Sequence, residues 1–305
     1  MKGPDGAEDR RKSRSPRSEG TAEPRGLKAG EAEEGRRRGR RAGTAEERDL
    51  VITIKTPVEL QKMRNAGQIV AEALRRVEPA IQPGVSTQAL DELIRDFVLS
   101  KDGTLLFYNY KGFPAHSCIS INEEVVHGIP RKRRKLSTGD IVSVDIGVKY
   151  KGYCADAAWT FRVGQVTAEA DELLRVGEAA LELGIQACQP RSHISDIARA
   201  IQSFVEAKGY HVVKKFAGHG IGTKLHEDPH VPNYLDSSFL KQDPLLRPGL
   251  VLAIEPMVNI GTDEVDTLDD GWTVVTRDRG LSVHFEHTVA VTEEGPWVLT
   301  SFNGR

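Results

Sequence analysis

Asp145 in "IVSVDIGV", Glu255 in "LVLAIEPMV" and Glu286 in "SVHFEHTVAV" are carboxylates set in runs of apolar residues, and Asp156 in "YCADAAWTF" lies eleven residues after Asp145. Acids flanked so closely by Val, Ile and Leu are expected to be at least partly buried. An unpaired buried carboxylate costs on the order of several kcal/mol, so something cationic must hold it. Arginines could serve, and taken singly Asp145 and Glu255 could cap strand ends in water. A fifth residue tips the balance toward metal. His219 lies in "GHGIGTKLHEDP", where Gly218, Gly220 and Gly222 let backbone approach closely. Four acids and one imidazole, without a thiolate, suit Mn, Fe(II), Co or Zn. Four carboxylates carry enough charge for two divalent ions. Paired metals roughly 3.5–4 Å apart acidify a water and clamp a tetrahedral intermediate, so the chemistry indicated is metal-assisted hydrolysis.

These residues need elements that bring them together. "TPVELQKMRNAGQIVAEALRRV" reads as a helix with Thr56 as cap and Pro57 in the first turn. "AIQPGVSTQALDELIRDFVLSKDG" (80–103) returns about 107 positions later as "ACQPRSHISDIARAIQSFVEAKGY" (187–210), each with QP, a cap-rich turn, a helix and the pair FV. "GDIVSVD" (139–145) and "GLVLAIE" (249–255) are likewise two strands with an acid six residues after a glycine. The chain therefore reads as two related α/β halves about a pseudo-twofold axis, each presenting an acid at the end of an apolar strand to a central cleft. The spacing from Asp145 to Asp156 predicts a strand, a hairpin turn and a return strand. Three glycines, each costing roughly 1 kcal/mol in a helix, make the His219 segment a tight loop or strand end.

Composition narrows the class. The 305 residues, 39% hydrophobic, suffice for a sizeable core. No apolar run approaches the roughly 20 residues that span a bilayer, and no secretory h-region opens the chain, so a cytoplasmic protein without membrane attachment is expected. Cys118, Cys154 and Cys188 show no CxxC spacing, against both a disulfide framework and a thiolate zinc site. Residues 1–49 hold almost no large apolar side chains and read as a disordered charged tail, leaving 50–305 as the folded domain. Within the tail, Arg36, Arg37, Arg38, Arg40 and Arg41 suggest a solvated run or a nucleic-acid contact, while Glu31, Glu33 and Glu34 weigh against a transit peptide.

Together "NEEVVHGIP", "DIGVKYKGYCADAAWTF", "GHGIGTKLHEDP", "AIEPMV" and "WTVVTRDRGLSVHFEHTVAVT" resemble the type I methionine aminopeptidases, with similarity over about residues 52–302. The resemblance implies an α/β (α+β) duplicated pita-bread fold, two pseudo-twofold halves with a curved antiparallel sheet covered by helices. It implies two divalent ions held by Asp145, Asp156, His219, Glu255 and Glu286, of which Asp156 and Glu286 bridge. Glu255 would also be the general base, His226 would stabilise the oxyanion, and His127 would sit near the leaving amide. Phe113, Cys118 and Trp272 would wall a methionine pocket, where Leu225 replaces an aromatic of many relatives. Nascent polypeptide N-termini with a small second residue are the implied substrates of a monomer. Only 36 positions separate His219 from Glu255, which leaves no room for the long insertion of type II enzymes.

The run Arg131, Lys132, Arg133, Arg134 and Lys135 is more basic than a turn needs and suggests a weak, transient ribosome contact. Two other readings compete. A proline-specific peptidase of the same superfamily would use the same five ligands, and a non-enzymatic pita-bread protein would bind RNA or protein through its basic tail. Against the first stand the missing extra N-terminal domain and the Cys118 and Trp272 pocket. Against the second stands the full ligand set.

Overall fold

The computed structural model describes residues 50–237 and 239–302; the charged tail, 1–49, lies outside the described residues. The first half contains helices α1 (Pro57–Val77) and α2 (Thr87–Ser100), then strands β1 (Thr104–Leu105), β2 (Cys118–Ile121), β3 (Glu124–Val126), β4 (Ile141–Tyr150) and β5 (Tyr153–Arg162). The second opens with α3 (Ala168–Ala187) and α4 (Ile194–Ala207), followed by β6 (His211–Val212), β7 (Gly218–Gly220), β8 (Glu227–Val231) and β9 (Val251–Ile254). It closes with β10 (Met257–Asn259), β11 (Val265–Thr267), β12 (Val274–Thr276), β13 (Ser282–His284), β14 (His287–Thr292) and β15 (Gly295–Val298). The named strands pair antiparallel throughout.

Local chemistry sets the helix starts. Thr56 and Glu59 form a reciprocal capping box at α1, with the Thr56 N–H donating to Glu59 at 2.8 Å. Thr167 accepts from the Ala170 N–H to start α3. α1 buries Met63, Ala66, Val70, Leu74 and Val77 against β4 and β5, and α3 buries Leu173, Val176, Ala180 and Leu181 against β9, β10 and β13.

The internal repeat is carried by the backbone. α2 starts at Thr87 and α4 at Ile194, 107 positions on, and each has 14 residues. The isolated bridges Ser86↔Lys135 and His193↔Leu245 occupy matching places at the helix starts. The duplication is sharpest where the halves meet. Thr160 accepts from the His284 N–H at 3.0 Å and donates to the His284 carbonyl at 2.9 Å. Thr288 does the same for Asp156, at 3.0 and 2.8 Å. Two such reciprocal clamps are what a pseudo-twofold axis between β5 and the β13–β14 segment produces.

Two details depart from the expected strands. Asp145 lies in the middle of β4 rather than at an end. Its counterpart Glu255 falls between β9 and β10, and Glu286 between β13 and β14. Pro256, without an N–H, breaks the second-half strand that β4 keeps continuous.

Candidate active site

The hairpin of β4 and β5, closed by Lys151 and Gly152 at positive φ, pairs Asp145 with Ala158 and Gly147 with Asp156. Asp145 and Asp156 are therefore diagonal neighbours on one face of the sheet. In the second half the pairs Ile254↔His287 and Met257↔His284 bracket Glu255 and Glu286, which sets these two acids opposite each other. β7 carries His219 beside Ala253 of β9. Ligand-type atoms of Asp156, His219 and Glu286 lie within 4.8 Å of one another. His219 Nε2 is 3.4 Å from Asp156 Oδ2 and 3.7 Å from Glu255 Oε1. All ten residues singled out in the sequence as ligands, catalysts or pocket wall line one cavity of about 200 Å³.

This cluster is short of positive charge. Burial, reinforced by Asp156 and Glu255 against the opposing effect of His284, pushes Asp145 up to about 7, and its Oδ1 is buried without a hydrogen-bond partner among the described residues. Burial and the neighbouring acids hold Glu286 well above the usual carboxylate range. Burial opposes charge on His219, yet the Asp156 hydrogen bond and the charges of Asp156 and Glu255 outweigh it and raise the ring to about 9. His219 Nδ1 bonds the Gly220 carbonyl at 2.9 Å. A carbonyl only accepts, so Nδ1 carries a hydrogen, and Nε2, on giving up its own proton, is the nitrogen free to take a cation among the acids. Buried acids in excess, an orphaned oxygen and an aimed imidazole are a donor set that fits a divalent cation.

The glycines around His219 have steric reasons. A Cβ at Gly218 would run into the Ala253 carbonyl, and one at Gly220 into the Asp228 carbonyl. At Gly222 it would meet the Glu227 carboxylate. That carboxylate clasps the loop, accepting from the Thr223 and Lys224 N–H groups at 2.8 and 3.1 Å and from buried Lys55 at 2.9 Å. The clasp fixes the residue before it, His226.

His226 stacks on His219 with ring centroids 4.2 Å apart and bonds Tyr110 Oη through Nδ1 at 2.9 Å. Burial, and then His219, lower it to about 4, and burial does the same to His127. Both rings are therefore neutral near pH 7. His127 takes a left-handed backbone (φ 60°), a conformation that costs on the order of 1–3 kcal/mol in a non-glycine residue and gathers at functional sites. Phe113, Ala115 and Cys118 form a small buried cluster, and Trp272 meets Phe113 edge-on at 5.2 Å. Burial drives the Cys118 thiol well above its ordinary value, making it apolar wall rather than a nucleophile. Asp270 anchors Trp272 by accepting from its N–H at 3.0 Å and is itself paired with Arg131 at 3.0 Å.

Sequence reasoning missed Tyr110, Phe107 and Lys111, which also line the cavity, and Thr288, whose hydroxyl bonds Asp156 Oδ1 at 2.9 Å. It also missed His284, whose Nε2 is 3.5 Å from Glu255 Oε2. The available signal for His284 was its place two residues before Glu286, since alternate residues of an extended strand share a face.

A pita-bread scaffold that gathers four acids and an imidazole beside an apolar pocket defines a metallohydrolase. The metallopeptidase family M24 model matches residues 61–293. The chain belongs to that family, and within it to the methionine aminopeptidases. It is 47% identical over 250 residues to methionine aminopeptidase of Clostridium acetobutylicum, spanning 82% of this chain and 99% of the relative. Methionine aminopeptidase 1 of Bacillus subtilis is 46% identical with the same coverage. The crystal structure of methionine aminopeptidase from Thermotoga maritima aligns at a TM-score of 0.79 and 42% identity, over 82% of this chain and all of that one. Xaa-Pro dipeptidase from Bacillus anthracis, at 23% identity and a TM-score of 0.66, shares the fold alone. Of the competing readings, the methionine aminopeptidase is the one that holds. Among the described residues, no helix is long and apolar enough to cross a membrane.

Proposed function

We propose that this cavity removes the initiator methionine from newly made polypeptides in the cytoplasm when the second residue is small. The observation that carries the reading is the meeting of the five ligand-type residues and the apolar Phe113, Cys118 and Trp272 wall in one cavity of about 200 Å³. Asp145, Asp156, His219, Glu255 and Glu286 would hold two divalent cations. When bound, such cations supply Lewis acidity toward the scissile carbonyl and acidify the attacking water. Glu255, which lines the cavity, would accept the proton that the water loses. With the Tyr110 hydroxyl, 2.9 Å away, as donor to His226 Nδ1, Nε2 would carry the hydrogen and serve as donor to the developing oxyanion. His127 orients the leaving amide from its strained backbone position. The free α-amine is held among the acids, which limits removal to the first residue.

With the methionine side chain against the Phe113, Cys118 and Trp272 wall, the second side chain falls beside His127 at the same cavity and must be small. Met-Ala-Ser and Met-Gly-Ser will be cleaved with kcat/KM about 10–10²-fold above Met-Phe-Ser or Met-Lys-Ser, since overfilling a packed site costs roughly 1–3 kcal/mol. Steady-state assays with Mn(II) or Co(II) decide this, and equal values for Met-Ala and Met-Phe peptides would remove the selectivity claim. X-Pro peptides serve as the control for the prolidase-type alternative.

Of the basic run, Arg131 is paired with Asp270 and Arg134 with Glu124, whereas Lys132, Arg133 and Lys135 are exposed. Those three are the side chains proposed to touch ribosomal RNA. Replacing them by Ser should leave tripeptide hydrolysis unchanged and reduce salt-sensitive co-sedimentation with ribosomes. Undiminished co-sedimentation across a salt series would end the idea.

A further inference from the structure

His284 is a buried polar group at the acid cluster to which the mechanism gives no task. The residue is 3% exposed, and its Nε2 has no hydrogen-bond partner among the described residues. That nitrogen faces Glu255 Oε2 at 3.5 Å, while Glu255 Oε1 faces His219 Nε2 at 3.7 Å. The Glu255 carboxylate thus lies between two imidazoles, one oxygen toward each.

The two rings are not equivalent. His219 spends its Nδ1–H on the Gly220 carbonyl, so Nε2 is the nitrogen that the ligand assignment gives to a cation. His284 Nε2 faces a carboxylate, which only accepts, so there the nitrogen must carry the hydrogen. The backbone makes the same distinction. Thr160 clamps His284 just as Thr288 clamps Asp156, so His284 occupies the pseudo-twofold counterpart of the Asp156 position. One copy of this duplicated position places a carboxylate among the ligands, and the other places an imidazole behind one.

We propose that His284 is a positioning residue that donates its Nε2–H to Glu255 Oε2 and so commits Oε1 to the cation-binding cluster. The inference rests on the ligand assignment made above. A movement of about 0.5 Å brings the 3.5 Å contact to ordinary hydrogen-bond length. Its reason is general: carboxylates that ligate metals are themselves held by hydrogen bonds, and loss of such a partner typically weakens metal affinity by about 10–100-fold.

The test compares wild type, His284→Ala, His284→Leu and His284→Gln in the full-length, chelator-treated protein. Mn(II) affinity is measured by calorimetry and the ligand field by the visible spectrum of the Co(II) form. Ala and Leu should weaken Mn(II) binding by about 10–100-fold and alter the Co(II) bands, whereas Gln, which keeps an N–H donor, should stay within about threefold of wild type. Wild-type affinity and spectrum in the Ala or Leu variant overturn the proposal, and so does a Gln variant as weak as Ala. Leu fills the space without a donor, so a loss caused by packing alone would appear in Ala and not in Leu, which also counts against it. Failure of the ligand assignment looks different: wild type itself would then take up neither Mn(II) nor Co(II).

Discussion

Glu255→Ala will bind metal weakly and, even at saturating Mn(II), will turn over at least about 10²–10⁴-fold more slowly than wild type, the span that a positioned general base contributes. Two tasks are proposed for this carboxylate, ligand and base. Its Oε1 faces the ring of His219, itself 3.4 Å from Asp156, and it sits opposite Glu286 across the strand register. His219→Ala should separate the tasks. It removes a ligand but no base, so excess Mn(II) should recover part of its activity and none of that of Glu255→Ala. Metal content by atomic emission and kcat at increasing Mn(II) measure both. Protons compete with the metal for the same groups, with Asp145 pushed up to about 7 and His219 to about 9. Apparent Mn(II) affinity should therefore rise with pH between about 6 and 9, as these groups lose their protons. A Glu255→Ala enzyme with full metal content and full rate would sink the assignment.

How much of this could be read in the sequence follows from the range of each interaction. The Thr56 cap of α1 and the hairpin that aligns Asp145 with Asp156 depend on residues close in the chain, and both read correctly. The duplication was legible because α2 and α4 keep one sequence pattern at a fixed offset. The breaks at Glu255 and Glu286 were not, since apolar runs continue through both positions and Pro256 alone signalled the first. Nothing in the stretch "FYNYKGF" indicates that Tyr110 would reach His226, 116 positions away, because a 3-10 turn with Asn109 and Lys111 at positive φ aims it there. Thr288 behind Asp156 and Lys55 behind Glu227 are likewise set by tertiary packing, over separations of 132 and 172 positions. Ligand-type residues announce themselves by charge in apolar surroundings. The groups that hold them are ordinary threonines, tyrosines and lysines with no such contrast.

His226→Ala will keep its metal and lose about 10²–10³ in kcat, the loss found when one preorganised oxyanion donor is removed. The ring stacks on His219 but shares no hydrogen bond with it, so its removal leaves the ligand set intact. Burial holds its pKa down at about 4, and therefore it acts as a neutral donor throughout the range above about pH 5. A charged imidazolium at this place would repel the cations that the acids collect, whereas a neutral ring delivers a hydrogen without that penalty. Tyr110 fixes which nitrogen carries the hydrogen, so Tyr110→Phe should show a weaker form of the same defect, about tenfold or less, in keeping with a net contribution of roughly 0.5–1.5 kcal/mol for one hydrogen bond. Neither variant should respond to added Mn(II), in contrast to His219→Ala. Metal analysis beside steady-state kinetics on the three proteins separates binding from chemistry. A His226→Ala protein that loses its metal, or one that works at the wild-type rate, would overturn the division of labour between two histidines seven residues apart.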